Sequence, residues 1–378
     1  MLKSINRRRL LALGISLPLA GKLMSQDTIS QTGVEILDLR VISWQPDLYH
    51  GWPTLARRKE GELVLVYSGG REKHVCPFGR VEFMRSKDGG GHWSWPQVLN
   101  DGPIDDRDAG VLETQSGALL VTTFTSLAYE TTSLAQTTLK TWRAVHERLT
   151  QQQREKELGC YMLRSTDGGI TWSARFPVPL NSPHGPILLR DGSLLYAGKA
   201  LWQGDQVGFC HSTDDGLTWQ WLATVTPRSG DDPKNYHELH VVEAADGTLI
   251  CHVRNQNTTN SQETLQCESS DGGRSWTVPH AIGVWGLPSH LLRLRDGRLM
   301  MSYGYRRKPY GVQVRISTDN GKTWGDSINL SSDGSGVDLG YPSTIECNDG
   351  MLVTVWYEVL GGSPKAQLRQ ARWRLTMR

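Results

Sequence analysis

An eight-residue phrase, Ser-x-Asp-x-Gly-x-x-Trp, occurs five times and constrains the fold more than any other feature of the chain. The copies run from Ser86 to Trp93, Ser165 to Trp172, Ser212 to Trp219, Ser269 to Trp276 and Ser317 to Trp324. Each follows a short apolar run and contains a tight-turn dipeptide, so it reads as the connection between two antiparallel strands. The Ser and Asp side chains are expected to bond turn amides, the Gly to take positive φ, and the Trp to pack back beneath the turn. Successive copies begin 79, 47, 57 and 48 residues apart. A period near 50 with strand and turn signals is that of a propeller blade.

A second, independent repeat sets the number of blades. A hairpin glycine followed by an apolar run occurs at Gly61, Gly117, Gly192, Gly247, Gly297 and Gly350. Five of these six units lead into the Trp phrase. The sixth begins near Asp338 and ends in Ala366 to Leu375, and the segment Val34 to Ile42 is expected to complete it by pairing the two chain ends, which removes free sheet edges. The expectation is an all-β chain: a single six-bladed β-propeller of four-stranded antiparallel blades over 34–378. The excess length lies in unit two. Between about 125 and 158 the strand signals vanish, and Leu139, Trp142, His146 and Leu149 recur at helical spacing. This predicts a helical insertion, either a lid or a packed decoration.

Composition narrows the function classes. With 41 Lys and Arg against 39 Asp and Glu, and no basic run beyond the N-terminus, nucleic acid is not an expected partner. Arg7, Arg8 and Arg9 precede the apolar run Leu10 to Ala20. Residues 1–25 therefore resemble a twin-arginine export signal, too short for a stable membrane span. A periplasmic or secreted protein is expected, with no stable membrane insertion after signal removal. The six cysteines show no Cys-x-x-Cys spacing, so they read as buried thiols, not a zinc site or a disulfide framework. No His-x-His or His-Glu-x-x-His spacing points to a metal, and no cofactor is expected.

The hairpin glycines also locate a candidate site. In an antiparallel hairpin, residues about nine before the glycine and seven to ten after it lie at one end. In a propeller the first strand of each blade lines the axis, so these positions form a ring at the channel mouth. They are His50, Trp52, Arg71, Glu72 and His74 in blade one, Asp108 in blade two, and His184 and Lys199 in blade three. Blade four adds His237, Glu238, His240 and Arg254, blade five His290, Arg306 and Arg307, and blade six Tyr341, Tyr357 and Glu358. Such a convergence describes a pocket for an anionic polar ligand.

These features together resemble the sialidase (neuraminidase) superfamily, six-bladed propellers whose repeated phrase is called the Asp-box or BNR repeat. The resemblance covers about 45–360. Glu238-Leu239-His240-Val241-Val242-Glu243 with Val253-Arg254-Asn255 is similar to the family's stretch bearing a catalytic Glu and a carboxylate-binding Arg. Gly340-Tyr341-Pro342-Ser343 with Tyr357-Glu358 is similar to the stretch bearing its Tyr nucleophile. The resemblance also implies that Arg306 or Arg307 binds the substrate carboxylate and that Asp108 contacts sugar hydroxyls. Arg71, His184, His240, His290 and Lys199 complete the expected substrate-binding set. A neutral Tyr suits such a substrate, because a carboxylate nucleophile would be repelled by the carboxylate on the anomeric carbon.

Two positions depart from the family pattern. Its first arginine, in a Phe/Tyr-Arg-Ile-Pro phrase, is here Gly51 of His50-Gly51-Trp52-Pro53. Its acid/base Asp has no counterpart in Arg71-Glu72-Lys73-His74-Val75. Between Glu72 and His74, an imidazole already titrates near pH 6.5, which favours His74 as the acid. The implied function is an exo-acting glycoside hydrolase that removes an acidic terminal sugar from an oligosaccharide or glycoconjugate. The alternatives are a uronate-specific polysaccharide lyase, or a propeller that binds glycans without turnover.

Overall fold

The computed structural model describes residues 30–31, 33–131, 140–257 and 262–376. The expected export segment at 1–25, and Leu139 of the insertion, lie outside the described residues.

Six antiparallel sheets follow one another around an axis. Blade one is built from Tyr49–Arg57, Leu63–Arg71, Arg80–Ser86 and Gln97–Asn100. Blade four, from Tyr236–Glu243, Leu249–Asn255, Thr264–Ser269 and His280–Ala281, shows the same order from axis to rim. The second strands are apolar almost without interruption, as in Leu63-Val64-Leu65-Val66-Tyr67, all at most 2% exposed. Neighbouring blades cover both faces of such a strand, so it loses the alternation of a half-solvated one. Between blades one and two, for example, Val64, Val66 and Phe83 pack on Val111, Leu119 and Val121.

The ring is closed by the chain ends. Val34–Val41 pairs with Ala366–Leu375 from Val34 opposite Leu375 to Val41 opposite Arg369, completing the blade that Leu339–Glu346 and Leu352–Val359 begin. The five Ser-Asp-Gly-Trp phrases are built alike. In each, Ser Oγ accepts from the Gly amide at 2.8–3.0 Å and donates to Asp Oδ1 at 2.7–2.9 Å. The same Asp oxygen accepts an amide four residues on. The Trp indoles then tie the turn down: Trp172, Trp219 and Trp276 to the Gly carbonyl of their own turn, and Trp93 to Gln370 Oε1 of blade six at 2.7 Å.

Between the second and third strands of blade two lie two short helices, α1 (Lys140–His146) and α2 (Gln151–Lys156). Trp142 of α1 is fully buried and its indole donates to Glu72 Oε2 at 2.6 Å. All six cysteines are free and buried. Cys251 and Cys267 face each other across two strands of blade four.

Around the axis, one residue in each of three blades latches onto the next blade. Seven residues before the hairpin glycines of blades four, five and six stand His240, His290 and Ser343. Their side chains accept the amides of Leu291, Thr344 and Leu55, each on the inner strand of the following blade. His184 packs against both imidazoles, with ring centroids 5.0 and 5.3 Å away. Burial holds all three neutral, His184 and His240 well below the usual range and His290 at about 3.

Two predictions follow from this packing. Trp93 is 8% exposed and joins the first turn to the closing blade, so Trp93→Ala should cost about 3–5 kcal/mol in denaturant unfolding. Its activity per folded molecule should persist. The second concerns acid. An unfolded His takes up its proton near pH 6.5, whereas folded His290 resists to about 3, so this contribution to stability is complete above pH 6.5 and is lost progressively as pH falls. His290→Gln should make the decline in unfolding free energy between pH 6.5 and 4.5 shallower by about 1.4 kcal/mol per pH unit.

Candidate active site

Four side chains at the channel mouth are aimed by the same backbone device. Nine residues before the hairpin glycines of blades one, two, four and six stand Trp52, Asp108, Glu238 and Tyr341, with φ of 54°, 47°, 46° and 52°. Each interrupts the pairing of its inner strand: the register shifts between Gly51 and Thr54, Arg107 and Gly110, His237 and His240, and Gly340 and Ser343. A left-handed non-glycine residue costs on the order of 1–3 kcal/mol and persists only where the surroundings enforce it. In blades three and five the same position is Pro183 and Pro288, whose ring forbids positive φ. Those two blades send no side chain to the mouth from this position.

The four residues line one cavity of about 330 Å³ together with His74, Arg107, His237, Arg254, Arg306 and Tyr357. At its centre the Tyr341 hydroxyl donates to Glu238 Oε1. Arg254 Nη1 lies 2.5 Å from Glu238 Oε2 and 2.9 Å from the Tyr341 oxygen. Burial raises the Glu238 carboxyl, but the Arg254 charge and the bonds from Arg254 and Tyr341 outweigh it, so Glu238 titrates below the usual range. Tyr341 is pushed well above 10, first by burial and then by the Glu238 charge. The resting pair is thus a phenol and a carboxylate. Arg306 lies over the Tyr341 ring, its Cζ 6.0 Å from the ring centroid and its Nε donating to Leu339 O at 3.0 Å.

Asp108 is 7% exposed and its Oδ1 has no hydrogen-bond partner. Burial raises its carboxyl to about 7, against the lowering effect of Arg107. His74 is held from behind: its Nδ1 lies 2.9 Å from Asp338 Oδ1, and its ring stands edge-on to Trp52, 4.9 Å between centroids. Glu72 turns away from the cavity, toward Trp142 of α1. Of the two acidic candidates from blade one, only His74 lines the cavity.

Several residues expected at the site lie elsewhere. Arg71 is fully buried and paired with Asp105 through both terminal nitrogens; it supports Trp52 from beneath, with Cζ 5.0 Å from the ring centroid. His184, His240 and His290 sit deeper, in the axial latch. Lys199 donates to Lys234 O at 2.8 Å, and Arg307 lies exposed over Trp285. Arg107 was not expected. It lines the cavity with its Cζ 4.5 Å from the Trp52 ring centroid, and its place directly before Asp108 was the available signal. In the sequence Asp338 marks only the start of unit six. Among the described residues, no group of three or more His, Cys, Asp or Glu is arranged to hold a metal ion.

Comparison with known proteins agrees with this architecture. Residues 130–354 match the BNR repeat-like domain family. A sialidase of Bacteroides fragilis is 23% identical over 91% of the chain and 66% of its own length. A sialidase of Micromonospora viridifaciens is 27% identical over 43% of the chain and 30% of its own length. The chain thus spans less than two thirds of either relative. Among solved structures, a protein of unknown function from Dyadobacter fermentans superposes with a TM-score of 0.74 at 23% identity, covering 91% of this chain and all of that one. With a BNR repeat-like domain over most of its length and six antiparallel blades closed by the chain ends, the chain belongs to the sialidase superfamily.

Proposed function

We propose that the chain is an exo-acting glycoside hydrolase that removes an acidic terminal sugar of the sialic acid type from a glycan. The observation that carries this reading is the Tyr341–Glu238–Arg254 cluster. A buried phenol in contact with an ionised carboxylate is a nucleophile beside its base, and it carries no charge to repel an anionic substrate. Because Tyr341 resists ionisation and Glu238 resists protonation, the proton moves to Glu238 only as the phenol oxygen attacks the anomeric carbon. Developing positive charge on the sugar then stabilises the emerging phenolate.

Recognition follows from the surrounding charges. Arg254 and Arg306 flank Tyr341, and Arg107 faces the cavity from blade two, where it supplies a third guanidinium in a site that has Gly51 in place of an arginine. Guanidinium forks match a carboxylate with paired hydrogen bonds. The unpartnered Asp108 oxygen is available to a sugar hydroxyl. A cavity of about 330 Å³, at the small end for ligand sites, suits one terminal sugar. His74 and Asp108, whose carboxyl is raised to about 7, are the cavity groups able to protonate the leaving oxygen, and with Asp108 assigned to a sugar hydroxyl the role falls to His74.

The decisive experiment is hydrolysis of sialyllactose and an aryl α-sialoside by the full chain, with product analysis by mass. Free sialic acid supports the reading; an unsaturated uronate product from acidic polysaccharides, with no sialoside cleaved, would replace it with a lyase. Tyr341→Phe should lower kcat on both sialosides by at least about 1000-fold. Arg254→Ala should lose binding of the anionic sugar on the order of 100-fold, the scale of a charged hydrogen-bond pair. Arg254→Lys should recover only part, since an ammonium lacks the planar fork. Equal tolerance of both Arg254 changes, measured by calorimetric titration, would remove this residue from the site.

A further inference from the structure

Behind His74 stands a carboxylate contributed by blade six. Asp338, at the entry to blade six, accepts from His74 Nδ1 at 2.9 Å and from Tyr49 Oη at 3.0 Å, with Tyr357 Oη 3.2 Å away. Its carboxyl titrates below the usual range, because these donors and the His74 charge outweigh its partial burial. It therefore stays ionised and cannot itself be the acid.

We propose that Asp338 is the positioning residue of a His74–Asp338 pair: it fixes a proton on Nδ1 and turns Nε2 toward the cavity, making His74 the proton donor in place of the absent blade-one Asp. This rests on the hydrolase reading above. In the first step the glycosidic C–O bond breaks, its electron pair leaves with the oxygen, and that oxygen takes the proton from His74 Nε2 while Tyr341 bonds to the anomeric carbon. In the second, neutral Nε2 accepts a proton from the water that attacks the same carbon, and Tyr341 departs, recovering its proton from Glu238. No co-reactant is needed.

The groups facing the imidazole set its working range. From blade six comes the Asp338 carboxylate, from blade one Arg71 and the neutral Tyr49, and from blade two Arg107. Partial desolvation at the cavity wall and the two arginines lower the His74 pKa; the bond to Asp338 and its charge oppose them. Asp338→Asn removes the opposing influence, so His74 must titrate at lower pH. A donor acts only while protonated, and the alkaline limb of the rate profile moves to lower pH with it.

The test has two independent read-outs on the full chain. The first is proton NMR titration of the His74 Cε1–H signal, assigned by its loss in His74→Gln, in the wild type, Asp338→Asn and Asp338→Ser. The pair predicts a downward shift in both Asp338 variants, and an unchanged titration in a folded variant would overturn it. The second compares sialyllactose, a poor leaving group, with a 4-nitrophenyl α-sialoside, which departs without protonation. Asp338→Asn should lose about tenfold on sialyllactose for each unit of pKa lowering and little on the aryl sialoside, and Asp338→Glu should restore part of the loss. Equal losses on both substrates, or a leaving-group-dependent loss in Asp108→Asn with none in His74→Gln, would overturn the assignment. If the wild type cleaves neither sialoside, the hydrolase reading fails, and the titration alone still decides whether the pair exists.

Discussion

Everything at the mouth of this molecule depends on one pairing, that of Val34–Val41 with Ala366–Leu375. Six blades can place side chains around a common axis only if the ring is closed, and the closing blade has no Ser-Asp-Gly-Trp turn of its own to fasten it. The fastening comes from elsewhere. Gln370, on the strand that receives the N-terminal segment, accepts from the Trp93 indole and donates to Gly90 O at 2.9 Å, so the first blade's turn grips the last blade's outer half. Inside, Ser343 takes the amide of Leu55 across the same seam. The seam thus has hydrogen bonds at both its outer and its inner edge, and the Tyr341 of one side is held against the Trp52 of the other, ring centroids 6.3 Å apart.

Closure fixes where the inner strands stand; the left-handed residues fix what they present. At Trp52, Asp108, Glu238 and Tyr341 the chain departs from the pleat for one residue and resumes. Without that departure, strand alternation would put each of these side chains on a face between blades. Two residues later in blades four, five and six the side chain returns to the axis and bonds the neighbouring blade. In blades four and six the same short segment therefore holds a strained functional residue and, one step below it, the contact that supports the strain.

This explains which parts of the site could be read from the sequence. The repeats gave blade number, closure and the level of the mouth, because turn glycines and Trp anchors are local signals that tertiary context does not override. Counting nine residues back from the glycines reached Asp108, Glu238 and Tyr341. The count could not separate them from His240 and His290 two residues on, since both sets are polar and a bulge decides which one meets the ligand. Arg71 was misplaced for a related reason: its level was right, but its partner Asp105, 34 residues away, draws the guanidinium under the floor. Arg107 and Asp338 were missed because each acts across a blade boundary, toward Trp52 and toward His74, and no spacing within a single blade reports such a contact.

The charges of the cavity support the acidic ligand proposed for it. Arg107, Arg254 and Arg306 bring three fixed positive charges. Glu238 is ionised, but Asp108, with its carboxyl raised to about 7 by burial, offers only a fraction of a negative charge near neutrality. Arg254 is paired with Glu238, which leaves Arg306 and Arg107 as the guanidinium groups with charge to spare, although Arg107 shares Asp105 at 3.6 Å. An incoming carboxylate meets a net positive wall with a neutral phenol at its centre. A neutral sugar would leave those guanidinium groups desolvated and unpaired, a cost of several kcal/mol for each buried charge. On the proposed reading, a carboxylate in the place of Tyr341 would pair with these guanidinium groups and repel the incoming anion, whereas the neutral phenol leaves them free to bind it.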